Sequence, residues 1–238
     1  MIYLLDQDYT GFPNPRKAES DGLLAMGGDL SAERLINAYA MGIFPWFNPG
    51  EEILWWSPKV RAIYPVGQVK ISKSLAQSIR NRGYSWTFDK AFSEVILSCA
   101  EVLRKEDVGT WISQDMIQAY SQLHQYGLAH SVETWFEGKL VGGLYGVSLG
   151  GCFFGESMFH TMTDASKTAL VFLSEQLKKW DFGFIDAQMS NPHVDSMGAV
   201  KMSRSKFLKL LEKELQKPHK IGIWEADANL NIVSAKFD

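Results

Sequence analysis

Three polar residues in this chain interrupt segments that otherwise read as apolar strands. In Phe153-Phe154-Gly155-Glu156-Ser157-Met158-Phe159, Glu156 breaks an aromatic run. A carboxylate there must find a cation or hydrogen-bond donors, because an unpaired buried charge is expensive. Two uses fit equally: it receives a positively charged group of a substrate, or it pairs internally with Lys167 or a helix N-terminus. In Phe184-Ile185-Asp186-Ala187-Gln188, the acid and the amide are two apart and so share one strand face, where a carboxylate can fix the orientation of an amide. Asn191 and His193 follow in a loop. Such a group can bind an amine and steer its lone pair toward a carbonyl, although the spacing fits a turn-forming hydrogen-bond network just as well.

A second unusual stretch is FPWFNPGEEILWW, with Phe44, Trp46, Phe47, Trp55 and Trp56 punctuated by Pro45, Pro49 and Gly50. The ring spacing follows neither a 3.6-residue helix nor an alternating strand, so the stretch reads as a proline-braced loop. Stacking a nucleobase on one such ring is worth roughly 1–3 kcal/mol, so it reads as a binding wall; for any single ring, core packing is the commoner fate.

The elements that must position these residues are α+β. A short helix starts at Ser31 and stops at Gly42, with Leu35, Ile36 and Tyr39 inward. A second runs from Ser72 to Arg82 before Gly83. Asp89 is expected to cap the helix carrying Phe92, Val95, Ile96 and Cys99, Ser113 another ending at Gly127, Asp164 one reaching Trp180, and Ser203 the last. Between them, SVETWF and LVGGLYGVSL flank the hairpin signal Glu137-Gly138-Lys139, and GCFFGESMF reads as a third strand leaving the sheet. Residues 1–61 are expected to form a small N-terminal domain and 62–238 a larger one on a mainly antiparallel sheet flanked by helices.

The 238 residues carry a net charge of −3 and an ordinary globular composition, with no apolar run near the roughly 20 residues that span a bilayer. The N-terminus lacks the basic and apolar regions of a signal peptide, which points to the cytoplasm. Cys99 and Cys152 read as buried thiols. Charge is uneven, however: from Ile53 to Phe88 there is no Asp or Glu, while Lys59, Arg61, Lys70, Lys73, Arg80 and Arg82 lie in that window. That suits either a phosphate backbone or a solvated face. There is no GxxxxGK[ST] loop, G-x-S-x-G elbow, C-x-x-C pair or H-E-x-x-H, and the five histidines are dispersed.

In order along the chain, GLLAMGGDLSAERLINAY, GIFPWFNPGEEILWWSP, GTWIS, AHSVE, LVGGLYGV, FFGESMF, DASKTAL, IDAQ and the following N…S-M-G-A resemble the bacterial leucyl/phenylalanyl-tRNA–protein transferase family. The resemblance runs from about Gly22 to Ala199. It implies an enzyme moving leucine or phenylalanine, less readily methionine, from aminoacyl-tRNA to the N-terminal Arg or Lys of a protein, marking it for the N-degron pathway. It implies a GNAT-like C-terminal domain and no metal or other cofactor. By resemblance, Trp46 and Trp111 hold the terminal adenosine, and Leu144, Phe153, Met158, Leu170, Leu173 and Ile185 receive the donor side chain. Leu144 stands where better-known members have methionine. Asp186 and Gln188 match the catalytic pair, Glu156 meets the cationic side chain of the acceptor, Asn191 also faces the acceptor, and Lys70, Lys73, Arg80 and Arg82 keep the sign of a tRNA-binding patch, with Ala76 and Gln77 at positions basic elsewhere. The expected partners are Leu-tRNA, Phe-tRNA and the acceptor protein, with no membrane and no second copy of the chain.

Two other readings are weighed. An acetyl-CoA enzyme of the same fold would need R/Q-x-x-G-x-G/A after a strand, and the nearest stretch, Arg80-Asn81-Arg82-Gly83-Tyr84-Ser85, follows an expected helix and ends in Ser. A non-enzymatic sugar- or RNA-binding module would leave Asp186, Gln188 and Glu156 without a purpose.

Overall fold

The computed structural model describes residues 2–105 and 112–232. In chain order the elements are β1 (Tyr3–Leu5), β2 (Leu23–Gly27), α1 (Ala32–Ala40), β3 (Phe44–Pro45), β4 (Leu54–Trp56), β5 (Val60–Pro65), α2 (Lys73–Asn81), β6 (Ser85–Phe88) and α3 (Phe92–Lys105). There follow α4 (Gln114–Gln125), β7 (Ala129–Phe136), β8 (Lys139–Leu149), β9 (Cys152–His160), α5 (Ala165–Lys179), β10 (Phe184–Asp186), α6 (Pro192–Ser196), β11 (Val200–Ser203) and α7 (Arg204–Glu214). They form two sheets. The smaller has the order β1-β2-β4-β3 and the larger β11-β5-β10-β9-β8-β7-β6. One continuous apolar core joins Leu24, Leu35 and Trp55 beneath the small sheet to Tyr145, Phe154, Phe184 and Phe207 of the large sheet and α7.

Local chemistry sets most helix starts. The side chains of Ser31, Ser72, Ser113 and Ser203 each accept the backbone N–H three residues on, which supplies one of the donors that a helix start leaves unpaired. The two aspartates expected as caps do something else. Asp89 and Asp164 both have positive φ. Asp89 accepts from the backbone N–H groups of Ser131 and Trp224 and pairs with the His130 ring. Asp164 accepts from Lys167 and Ser78. Asp164 stands at the expected N-cap position of α5 without a side-chain cap bond, and each aspartate ties its own segment to a distant one. The Glu137-Gly138 turn has φ values of 49° and 73°, the doubly left-handed form that suits the twist of the β7–β8 hairpin.

The large sheet is antiparallel except at one central pair, in which β10 runs parallel to β9 for three residues. Beyond Phe154 and Asp186 that pairing stops, while β9 stays paired with β8 as far as His160. Contrary to expectation, β9 does not leave the sheet; its one free edge is where it parts from β10. With helices packed on the sheet, this is the expected α+β form, a mainly antiparallel sheet flanked by helices.

The aromatic stretch also departs from expectation. Its ends are the short antiparallel strands β3 and β4, with Phe44 opposite Trp56 and Pro45 opposite Trp55. Phe44, Phe47 and Trp55 belong to the core, whereas Trp46 is 41% exposed and meets Trp56 edge-on. Cys99 and Cys152 are buried, as their apolar neighbours suggest. Among the described residues no helix is long and apolar enough to cross a membrane.

Candidate active site

Where β9 and β10 part, the structure holds a cavity of about 370 Å³. Strand β3 of the small sheet and the residue after it close one side with Phe44, Pro45 and Trp46, while β5, β8, β9, α5, β10 and the segment after β10 supply the rest. Every expected donor-pocket residue lines it: Leu144 from β8, Phe153 and Met158 from β9, Leu170 and Leu173 from α5, and Ile185 from β10. Glu156, Asp186, Gln188 and Asn191 line it too. Trp111 lies outside the described residues. Asn191 is exposed, and its side-chain oxygen accepts the Val194 N–H at the start of α6.

Glu156 reaches the cavity through a β-bulge. Tyr145 pairs with Ser157 and Gly146 with Gly155, so Glu156 is the extra residue between two registers. A side chain at Gly146 would run into the Phe154 carbonyl and the Phe153 ring, which explains the glycine opposite the bulge. The anticipated pairing with Lys167 does not occur, since Lys167 binds Asp164. Instead Glu156 accepts the Tyr39 hydroxyl at 2.7 Å and the Tyr120 hydroxyl at 2.9 Å, and the two tyrosines touch each other through their hydroxyls. Burial pushes the Glu156 carboxyl up to about 7, against the two hydroxyls that favour its charged form. Burial, and then the Glu156 charge, hold the Tyr39 and Tyr120 phenols well above their ordinary range.

Asp186 is fully buried and bound to Arg61, whose Nε lies 2.9 Å from Oδ1 and whose Nη2 lies 2.5 Å from Oδ2. The guanidinium sits between the Phe44 and Phe207 rings, at 4.8 and 4.4 Å from their centroids, and its Nη1 donates to the Gly42 carbonyl. Gly42 has φ +71°, and a Cβ there would press on Phe207 and Leu208 at 2.9 Å. Arg61 is thus no part of an exposed basic patch. Alone among the cations of the Ile53–Phe88 window it lies inside an apolar strand, and that was the available sign of a buried partner.

The expected link between Asp186 and Gln188 exists in another form. The strand ends at Asp186, and Gln188 has φ +53°, so alternation along a strand does not relate the two side chains. Asp186 Oδ1 accepts the backbone N–H of Gln188 at 2.9 Å, and the Gln188 carbonyl accepts the Ala62 N–H. The carboxamide Nε2 donates to Glu156 at 3.3 Å. Arg61, Asp186, Gln188, Glu156, Tyr39 and Tyr120 therefore form one chain of contacts. Sequence reading missed the roles of Arg61, Tyr39 and Tyr120 because they come from three separate elements.

Lys70, Lys73, Arg80 and Arg82 are all exposed and form no ion pair with a described residue. Arg80 and Asn81 end α2, so the stretch considered as a pyrophosphate loop is the end of a helix.

Comparison with known proteins agrees with this picture. Residues 28–59 match a family model described as the leucyl/phenylalanyl-tRNA protein transferase N-terminal domain, and residues 63–212 one described as leucyl/phenylalanyl-tRNA protein transferase. A protein of that name from Nitrosomonas europaea is 53% identical over 95% of this chain and 96% of its own length. Its namesake from Thermodesulfovibrio yellowstonii is 49% identical over 99% and 96%. Among solved structures, L-PGS from Bacillus licheniformis aligns over 71% of this chain and 54% of its own at 13% identity and a TM-score of 0.38, a likeness too slight to argue from. With both family models and relatives of nearly full length in agreement, this chain belongs to the leucyl/phenylalanyl-tRNA–protein transferase family.

Proposed function

We propose that this chain transfers leucine or phenylalanine, and less readily methionine, from aminoacyl-tRNA to the N-terminal Arg or Lys of a protein, forming a peptide bond and marking the product for the N-degron pathway. One observation carries the reading beyond family membership: an apolar pocket and the Glu156–Gln188 pair line one cavity, together with an exposed tryptophan. Leu144, Phe153, Met158, Leu170, Leu173 and Ile185 take the donor side chain. Trp46, with Trp111, stacks the terminal adenosine. Lys70, Lys73, Arg80 and Arg82 meet the tRNA body.

The reaction is aminolysis of an ester. The ester already carries the free energy of the peptide bond, so the protein's task is to place a neutral α-amine about 3–3.5 Å from the carbonyl. Asp186, fixed by Arg61, sets the backbone of Gln188; the carboxamide of Gln188, fixed by Glu156, accepts a hydrogen bond from the incoming amine and aims its lone pair. Glu156 offers negative charge to the cationic end of the acceptor, and Asn191, exposed and lining the same cavity, faces that acceptor. We read residues 1–61 as a small domain contributing the Trp46 wall, residues 62–238 as the transfer domain, and the cytoplasm as the place of action.

Incubation with labelled Leu-tRNA and a peptide beginning with Arg tests the reading. Label should move to the peptide; its retention on tRNA would refute the proposed activity.

A further inference from the structure

Among the described residues two carboxylates line the cavity, and they are met by different kinds of partner. Asp186 is met by pure donors, the Arg61 guanidinium and the Gln188 N–H. Glu156 is met by two hydroxyls and one amide N–H. A hydroxyl both donates and accepts, and Tyr39 and Tyr120 can also bond each other, so the hydroxyls can turn to receive a proton from Glu156. The charged and titratable groups around it are Tyr39 on α1, Tyr120 on α4, Tyr145 on β8 and the mutually neutralised Arg61–Asp186 pair, with His193 of α6 elsewhere on the cavity wall. Among the described residues no cation is paired with it directly.

Building on the transferase reading, we propose that Glu156 is the base of the reaction, taking a proton from the α-ammonium of the acceptor before the attack. An ammonium has no lone pair. Once one N–H proton has moved to Glu156, the neutral nitrogen, held by Gln188, forms the C–N bond to the ester carbonyl. As the C–O bond to the ribose breaks, a second proton passes from nitrogen to the departing ribose oxygen. Glu156 then releases its proton to solvent, so that the balance is ammonium plus ester giving amide, alcohol and one proton. A carboxyl raised to about 7 stands close to an α-amine, whose ordinary value is about 7.7–8.0, so the transfer is nearly balanced.

Single-turnover transfer from saturating Leu-tRNA tests this, with acceptor peptides beginning with Arg or with a neutral residue, and with hydroxylamine, a nucleophile uncharged at neutral pH. Glu156→Gln should slow transfer to both peptides by about 10²–10⁴-fold at saturating acceptor, and slow hydroxylamine at least about tenfold less. Tyr120→Phe removes a donor that favours the charged carboxylate, so the acidic limb of the wild-type pH profile should move upward. The proposal fails if Glu156→Gln keeps the wild-type rate, if it erases only the preference for Arg, which would make Glu156 a reader of the side chain, or if hydroxylamine is slowed as much as the peptides. If the wild-type protein moves no leucine to peptide while still binding Leu-tRNA, the transferase reading itself falls.

Discussion

Asp186 and Gln188 are joined through the main chain: the carboxylate accepts the Gln188 N–H at 2.9 Å, while the carboxamide turns to Glu156 at 3.3 Å. An acid that grips backbone holds a loop in a left-handed conformation, and the side chain of that loop is then aimed by a second acid. Positioning is thus divided between two carboxylates, each satisfied by different partners.

The first expected outcome concerns the ion pair behind this arrangement. Arg61→Met leaves a buried carboxylate without its cation and should lower stability by about 3–5 kcal/mol in urea unfolding. Adding Asp186→Leu should recover much of that loss, because no lone charge remains, yet transfer should stay impaired, since nothing then holds the Gln188 N–H. Recovery of activity together with stability would remove Asp186 from the positioning chain.

Two tryptophans of the same segment should behave oppositely. Trp55 is fully buried and its Nε1 donates to the Gly27 carbonyl, so Trp55→Ala should cost about 3–5 kcal/mol of stability. Trp46 is 41% exposed at the cavity, so Trp46→Ala should change stability little while weakening an aminoacyl-adenosine analogue by roughly 1–3 kcal/mol. Melting curves and calorimetric titration would separate the two, and an unchanged affinity would exclude Trp46 as the stacking ring.

Replacing Lys73 and Arg80 by Ala should weaken aminoacyl-tRNA binding and reduce the slope of log affinity against log salt by roughly 2 in total. The aminoacyl-adenosine analogue, which does not reach α2, should bind as before. An equal loss for both ligands would place these cations elsewhere in the mechanism.

The raised Glu156 carboxyl also fixes a sign for stability. Between its ordinary value of 4.5 and about 7 the folded chain binds the proton more tightly than the unfolded chain, so this group's contribution falls as pH rises through that window. Glu156→Gln, which mimics the protonated form, should raise the melting temperature at pH above about 7 and do so less near the acid end. A wild-type advantage at high pH would mean that Glu156 is stabilised in its charged form.

What the residues revealed in advance follows from range. The serine caps and the Glu137-Gly138 turn are decided within about four residues, and their sequence signals carried over. Asp89 and Asp164 look like the same signal, but a positive φ aims each at groups elsewhere in the fold. The apolar pocket was legible through family resemblance, and one cavity does bring its residues together. The pairing of Arg61 with Asp186 spans 125 positions, and the Tyr39–Glu156 contact spans 117, so no local pattern encodes either. Nor did alternation reveal the bulge that turns Glu156, because an inserted residue is visible only against the partner strand.

Arg61 falls between the two matched family segments, 28–59 and 63–212, yet its guanidinium is gripped from both sides, by Gly42 and Phe44 on one and by Asp186 and Phe207 on the other. The seam of the chain is therefore not a place where parts can be exchanged freely. A hybrid that grafts the first segment of one relative onto the second of another inherits a working cavity only if both halves fit the same buried cation, so the junction itself limits how this enzyme can be recombined.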